Sequence, residues 1–567
     1  MSARIRRALL ALVAGVSILA LAACASIPTS GSVEQGSAQE EATTQSLRYY
    51  PAGPSDGASR EEIVQGFIDA GTGSQNDFAT ARQYLTDDAA SSWDPTEQVL
   101  ITSGQVSMRT NDNDVINVSV AVSGEVNAHG VYREELSSSS EALEFTLQQV
   151  DGEWRISEAP DGVVLMRQAF TDLYRSTALT FLDAEQRYAT QDLRWFPNTD
   201  DFATRVVEEL LRGPAEWLYP GEAVTTAFPS GTSLLSDVTI ADGQATVNLS
   251  GDASAAASAS DLSLMRLQLE RSLTVLDEVQ TVELRVNGAR IDASLPGGDT
   301  VITSPDVNSL PLVYQDGSIG YLNSNSLSLP NGTENVDAAA AEINPIRGAL
   351  SASRQTVTML TEDGTYAMRY DDTSPTLIDS RGGQIEPALD NWDWVWTQST
   401  SQTGLYVSKI GEGSIFEIPL PSGVAPNFIS HQVSRDGTRL AVLFDDGDGV
   451  TLAIMPIMRD GGEPMALGDP LLLEMPGTED TANDVAWVDG NSVAMLVDDG
   501  DGTTEVRLYR VGGELTSLGT IPNAVQVAGS NTLAGMRVVD RQGIVYAPRG
   551  TRWQASETVV NFLFAQM

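Results

Sequence analysis

From about Ser309 to Met567 the chain repeats one short pattern. Strands of four to six residues recur between Asp-Gly, Gly-Gly and Pro-Ser-Gly turns, and helical periodicity disappears. Val433-Ser434-Arg435-Asp436-Gly437-Thr438-Arg439-Leu440-Ala441-Val442 parallels Val485-Ala486-Trp487-Val488-Asp489-Gly490-Asn491-Ser492-Val493-Ala494. Weaker copies join Leu350–Ser353 to Val357–Leu360, Trp394–Trp396 to Gly404–Val407, and Val527–Gly529 to Gly543–Tyr546. The spacing wanders around roughly 40 to 50 residues, the period of four-stranded propeller blades. One blade cannot bury both of its faces, so a ring is required. At about 40–45 residues per blade the length fits six blades, and five also fit. An all-β propeller over residues 301–567 is therefore expected.

The other end of the chain carries its only cysteine, Cys24, among 567 residues. Arg4, Arg6 and Arg7 precede an apolar run, Ala8–Ala20, that is too short to span a membrane comfortably. Leu21-Ala22-Ala23-Cys24 follows, then Ala25-Ser26-Ile27-Pro28. This resembles a bacterial lipobox. The resemblance implies a signal peptide over residues 1–23, cleavage between Ala23 and Cys24, and a diacylglycerol and an N-acyl chain on Cys24. The plain alternative is a secretory signal with a chance cysteine. Each buried methylene contributes about 0.8 kcal/mol, so two or three acyl chains anchor stably. No other stretch approaches about 18 uninterrupted apolar residues. The mature chain is expected on the extracytoplasmic face of the cell membrane, lipid-anchored and not spanning it. With Cys24 acylated, no thiol remains for a disulfide, a nucleophile or a thiolate metal site.

The net charge of −44 argues against nucleic acid and against adhesion to anionic headgroups. Lys409 is the only lysine, a bias that resembles high-GC actinobacterial coding. Hydrophobic residues make up 41% of the chain, enough for real cores in about three domains. Residues 24–59 read as the lipidated N-terminus and a tether rich in Ser, Gly, Pro, Glu and Gln. A coil of that length has an r.m.s. span of roughly 30 Å.

Two α+β domains are expected between tether and propeller. In residues 60–160, Arg60–Ala70 has helical spacing and Asp77–Leu85 reads as a second helix. Val115–Val122, Val131–Leu136, Leu143–Val150 and Trp154–Ile156 alternate as strands, with Asp151-Gly152 as a hairpin turn and Ser137–Ser140 as a loop tip. This order resembles an NTF2-like cone. In residues 161–300, strands Thr177–Asp183 and Arg187–Arg194 precede a helix from Asp200-Asp201 to Leu211 that stops at Gly213-Pro214. Phe228-Pro229-Ser230-Gly231-Thr232, an Asp242-Gly243 turn into Val247-Asn248-Leu249-Ser250, a helix from Asp261 and Val286-Asn287-Gly288 complete the unit. Thr177–Ile291 closely resembles a GerMN domain, and these residues shape a fold without carrying chemistry. The propeller turns resemble TolB-type repeats more than WD40 ones.

Candidate chemistry is sparse. His129 and His431 are the only histidines, which excludes a histidine-rich metal site. His431 reads as a satisfied or exposed loop residue. The runs Asp445–Gly449 and Asp498–Gly502 look superficially like calcium loops, but neither has the Glu at position 12 or the flanking helices of an EF-hand, and both sit where a hairpin turn is needed. No elbow, phosphate-loop or zincin motif is present. Trp392, Trp394 and Trp396 alternate and should share a strand face, either for blade packing or as a surface for a partner.

The order lipobox, tether, α+β domain, GerMN domain, propeller resembles the LpqB family of actinobacterial lipoproteins. Cys24-Ala25-Ser26-Ile27-Pro28-Thr29-Ser30-Gly31, Ile63-Val64-x-Gly66-Phe67 and Ala81-Arg82-Gln83-Tyr84-Leu85-Thr86 carry the resemblance. It implies a non-enzymatic accessory, without cofactor, to a two-component system. The implied partner is the extracytoplasmic domain of an MtrB-like sensor histidine kinase, which with its regulator MtrA controls cell-wall homeostasis and division. An alternative is a module that binds peptidoglycan or another envelope glycan, and a third is a propeller hydrolase using carboxylates at the central mouth.

Overall fold

Ser59 opens the first helix, Arg60–Ala70, through a reciprocal box: its Oγ accepts from the Glu62 amide, and the Glu62 carboxylate accepts from the Ser59 amide. The face at Ile63, Val64, Phe67 and Ile68 is buried. The computed structural model describes residues 51–567 except 112–113, 220, 256–257, 298–300, 448, 476–480, 499, 501 and 551. The described residues belong to one compact unit. The lipobox, Cys24 and the tether up to residue 50 lie outside them.

The second helix, Gln75–Arg82, contains three left-handed residues, Asn76–Phe78, and a short third helix, Asp87–Ser92, is capped by Thr86. Against them lies a sheet ordered Glu153–Glu158, Tyr132–Val150, Val115–Asn127, Gln98–Thr102, Val163–Met166, with Ser107–Thr110 on the outer part of Val115–Asn127. Ser137–Ser140 is not a loop tip. It lies inside the continuous strand Tyr132–Val150, which follows its long partner past a register shift between Val122 and Gly124. Asp151 and Gly152 both take positive φ (54° and 88°), as a two-residue hairpin requires. Val163, Leu165 and Phe170 are part of this core, so the first domain runs about ten residues past Pro160.

In the middle domain Tyr174–Asp183 pairs antiparallel with Ala189–Pro197. Helix Phe202–Arg212 ends at Gly213, whose φ of 112° disfavours any other residue. Gln244–Leu249 and Thr281–Val286 pair in parallel, joined through helix Ala259–Leu273. That helix buries Met265, Leu269 and Leu273.

The described residues of 312–566 form six sheets arranged as blades, each with at least four strands. The last residues close the ring. Phe562–Leu563 is the innermost strand of the first blade, beside Leu312–Gln315, and Ala565–Gln566 pairs in parallel with Arg347–Ser351 of the second. The acidic runs lie between consecutive paired strands, and Asp445 and Asp498 accept from the amides of Gly447 and Gly500. Helices do not vanish here. Glu334–Ile343 links the first two blades and buries Val336, Ala339 and Ala340. Its Ala338–Ala341 run has the highest intrinsic helix propensity.

Phe564 is fully buried, and a Cβ placed on Gly348 would meet its ring at 2.4 Å. Phe564→Ala should destabilise the closed ring by about 3–5 kcal/mol, read as a lower denaturant midpoint in tryptophan fluorescence.

Candidate functional site

Charge and burial first show how the three domains are joined. Arg167, at the end of the first domain, donates to the Ser123 carbonyl (2.7 Å), Tyr132 Oη (3.1 Å) and Glu514 of the propeller (2.9 Å), and pairs with Glu134 at 3.4 Å. Burial raises the Glu134 carboxyl, an effect that Arg167 opposes. Arg194 of the middle domain is buried, bound to Asp192 at 2.6 Å and to the His129 carbonyl of the first domain at 2.8 Å. His129 Nδ1 lies 3.5 Å from Glu209, so this histidine sits at a domain joint. The middle domain meets the propeller where Trp195 Nε1 donates to the Gly512 carbonyl (2.9 Å) and Tyr219 Oη accepts from the Asp469 amide (3.1 Å). None of these arginines stood out in the sequence, because their partners lie up to 347 residues away.

The tryptophan cluster is interior. Trp394 and Trp396 are 3% and 0% exposed and pack within the third blade and against the fourth. The Trp396 indole donates to Asp390 at 3.1 Å. Burial therefore removes both from the partner surface the alternation allowed. Trp392 lies before the strand, half-buried, with the guanidinium of Arg187 from the middle domain 4.9 Å from its ring. His431 is likewise no exposed loop residue. It is buried in strand Phe428–Val433 with Nε2 3.2 Å from the Trp396 carbonyl, and burial pushes its pKa down to about 4.

Along the ring axis Glu386 faces Gln526 (3.1 Å) and Arg347 (3.4 Å), while Asp484 accepts from Ser430 Oγ (2.6 Å) and the Val527 amide (2.8 Å). Gln526 also holds both backbone groups of Leu563, so the axial network is tied to ring closure. Burial, then the Asp484 charge, pushes Glu386 up to about 8, and burial raises Asp484 too. The cavity beside them is about 10 Å³, room for about one water and none for a sugar.

The larger spaces lie where the middle domain meets the propeller. A cleft of about 290 Å³ is walled by Gln191, Asp306, Asp489, Asn491, Arg510 and Asn531. An adjoining space of about 460 Å³ is lined by Tyr188, Ile302, Tyr321, Leu350 and Met567. Residues 304–306 and Arg435 border both. The strap is held by Asn531, which accepts from the Val307 amide (2.8 Å) and donates to its carbonyl (2.7 Å).

Three family models match in order: the lipoprotein LpqB N-terminal domain over residues 53–171, a sporulation and spore germination domain over 173–292, and the lipoprotein LpqB beta-propeller domain over 327–562. The curated lipoprotein LpqB of Thermobifida fusca is 28% identical, covering 88% of this chain and 89% of its own. That of Streptomyces avermitilis is 24% identical and covers 97% of each. The chain belongs to the LpqB lipoprotein family. Its middle domain is a GerMN domain, and its last is the LpqB propeller. Among the described residues no helix is long and apolar enough to cross a membrane.

Two outcomes follow for this LpqB-family chain. Arg167→Ala leaves Glu134 buried without its cation and should cost about 1–3 kcal/mol, measured by chemical unfolding. Glu386 binds its proton more tightly folded than unfolded. Its contribution is therefore fully present below about pH 4.5, the unfolded value, and is lost as pH rises to about 8. Glu386→Gln should flatten the fall in melting temperature across that window.

Proposed function

We propose that this LpqB-family chain is a lipid-anchored extracytoplasmic regulator that binds the sensor domain of an MtrB-like histidine kinase and shifts its signalling equilibrium. The observation that carries this reading is the union of three domains in one compact body behind a tether and a lipobox. The relatives' designation as lipoproteins supports acylation at Cys24. Anchoring raises the local concentration of the body at the membrane where the kinase lies. Binding shifts the kinase only as far as its affinities for the two kinase states differ. A hydrolase at the axis is disfavoured, because Glu386 and Asp484 line a space too small for a sugar.

The GerMN domain covers one end of the ring through contacts near Gly461, Asp469 and Gly512. Strand alternation puts the turns at 362–363, 446–449 and 541–543 at the other end, which is the face offered to a partner. A photo-crosslinking residue at Glu362 or Gln542 in the full chain should capture the kinase in membranes, and one at Asp151 should not. Cys24→Ala should move the chain to the soluble fraction and abolish capture. A membrane-bound chain giving no kinase adduct from either propeller position would sink the reading.

A further inference from the structure

Arg435 is 8% exposed yet poorly satisfied. Among the described residues its side chain makes one long hydrogen bond, Nη1 to Asn531 Oδ1 at 3.4 Å, and its buried Nε has no partner. Asp306 and Asp489 act on it electrostatically, but among the described residues no carboxylate forms an ion pair with it. Burial lowers its pKa to about 10. The neighbouring Arg439 also leaves its Nε without a partner, but its two terminal nitrogens are held, by Asp436 (2.8 Å), the Gly490 carbonyl (2.7 Å) and Asn491 (3.2 Å). An unpaired buried guanidinium costs free energy that a planar anion recovers through charge-assisted bonds.

The turn that carries Arg435 has the length of the Ser351–Thr356 turn of the second blade but is longer than those of its two neighbouring blades. In the fourth blade the turn runs from Ser434 to Arg439, closed by the Ser434 amide on the Arg439 carbonyl. The corresponding turns of the third and fifth blades close from Asp390 to Trp394 and from Val488 to Ser492, each one residue shorter. Aligning Asp436-Gly437 with Asp489-Gly490 makes Arg435 the inserted residue. The insertion places its guanidinium on the border of the polar cleft and the apolar space.

We propose that this cleft binds a small carboxylate-bearing molecule. Its carboxylate sits on Arg435, its hydroxyl or amide groups meet Gln191, Asn491 and Asn531, and its apolar part enters the space beside Tyr188 and Tyr321. The local charge selects the class. Arg435 and Arg510 face Asp306 and Asp489, and the third acid of the lining, Asp436, is paired with Arg439, so the cleft is near neutral and accommodates a monoanion better than a dianionic phosphate. The exposed Gln191, Asp306 and Gly490 leave it open to solvent. The inference stands independently of the kinase reading, since it concerns a small molecule and another face of the ring.

The test is titration calorimetry on the full mature chain with N-acetylmuramic acid, N-acetylglucosamine and inorganic phosphate. The two sugars differ by a lactyl carboxylate. The acid should bind at least tenfold more tightly than the neutral sugar or phosphate. Arg435→Gln should weaken it at least tenfold, with Arg435→Lys in between. If Arg435→Gln fails to fold, Gly490→Glu serves instead. Gly490 has an ordinary φ, and its added Cβ first meets an atom at 3.7 Å, so the variant should fold and fill the cleft with its own carboxylate. No binding of the acid, equal binding of both sugars, stronger binding of phosphate, or unchanged binding in a folded Arg435→Gln or Gly490→Glu variant would overturn the proposal.

Discussion

Closure of the ring is the constraint on which the rest depends. Each blade has two apolar faces, and only neighbouring blades can cover them. The seam is made by the five residues 562–566: Phe562–Leu563 completes the first blade, and Ala565–Gln566 lies along the second. Gln526 clamps Leu563 from the sixth blade, and Glu386 reaches Gln526 from the loop before the third. The seam is therefore buttressed from across the axis. Once the ring is shut, its first-to-second strand turns are fixed on one face, and that face is what the GerMN domain can dock against.

A chain with net charge −44 must still hold three domains together. It does so by placing arginine where acids converge. Arg194 with Asp192, Arg439 with Asp436 and Arg459 with Asp390 are pairs whose side chains are all at most 6% exposed. Removing one partner from such a pair costs far more than the pair itself contributes, because it strands a buried charge. A guanidinium suits these places, since its planar fork bonds a carboxylate and a carbonyl together, as Arg439 does with Asp436 and Gly490. Other acids sit at turns and a helix start, where Asp445, Asp498 and Glu62 accept from backbone amides.

Features governed by local chemistry were legible in the sequence. The Asp151-Gly152 and Asp242-Gly243 turns are decided within four residues, and the repeated Asp-Gly turns declared the blades. Ser137–Ser140 misled because serine signals a turn locally, while a 19-residue strand was held by its partner across the register shift. Helix Glu334–Ile343 was missed, because the surrounding strand pattern set the reading of the whole region. The alternation held for Trp394 and Trp396 alone, since Trp392 lies before the strand, and it did not show what covered them. Arg435 was invisible in another way. Its distinction is a missing partner, and its neighbours come from segments as far apart as Gln191 and Asn531.

That dispersal has a mechanical consequence. The cleft is walled by the GerMN strand at Gln191, the strap at 304–306 and two propeller turns, so its shape is a readout of how the GerMN domain sits on the ring. The same joint carries Arg187 over Trp392 and the Glu185 carboxylate on the Gly461 amide. Interfaces packed this way change between discrete arrangements instead of deforming smoothly. Anything that fits the cleft in one arrangement and not in another biases the joint by the difference of its two affinities. The first domain shares that bias, because Arg167 ties it to Glu514 of the fifth blade beside the same docking face.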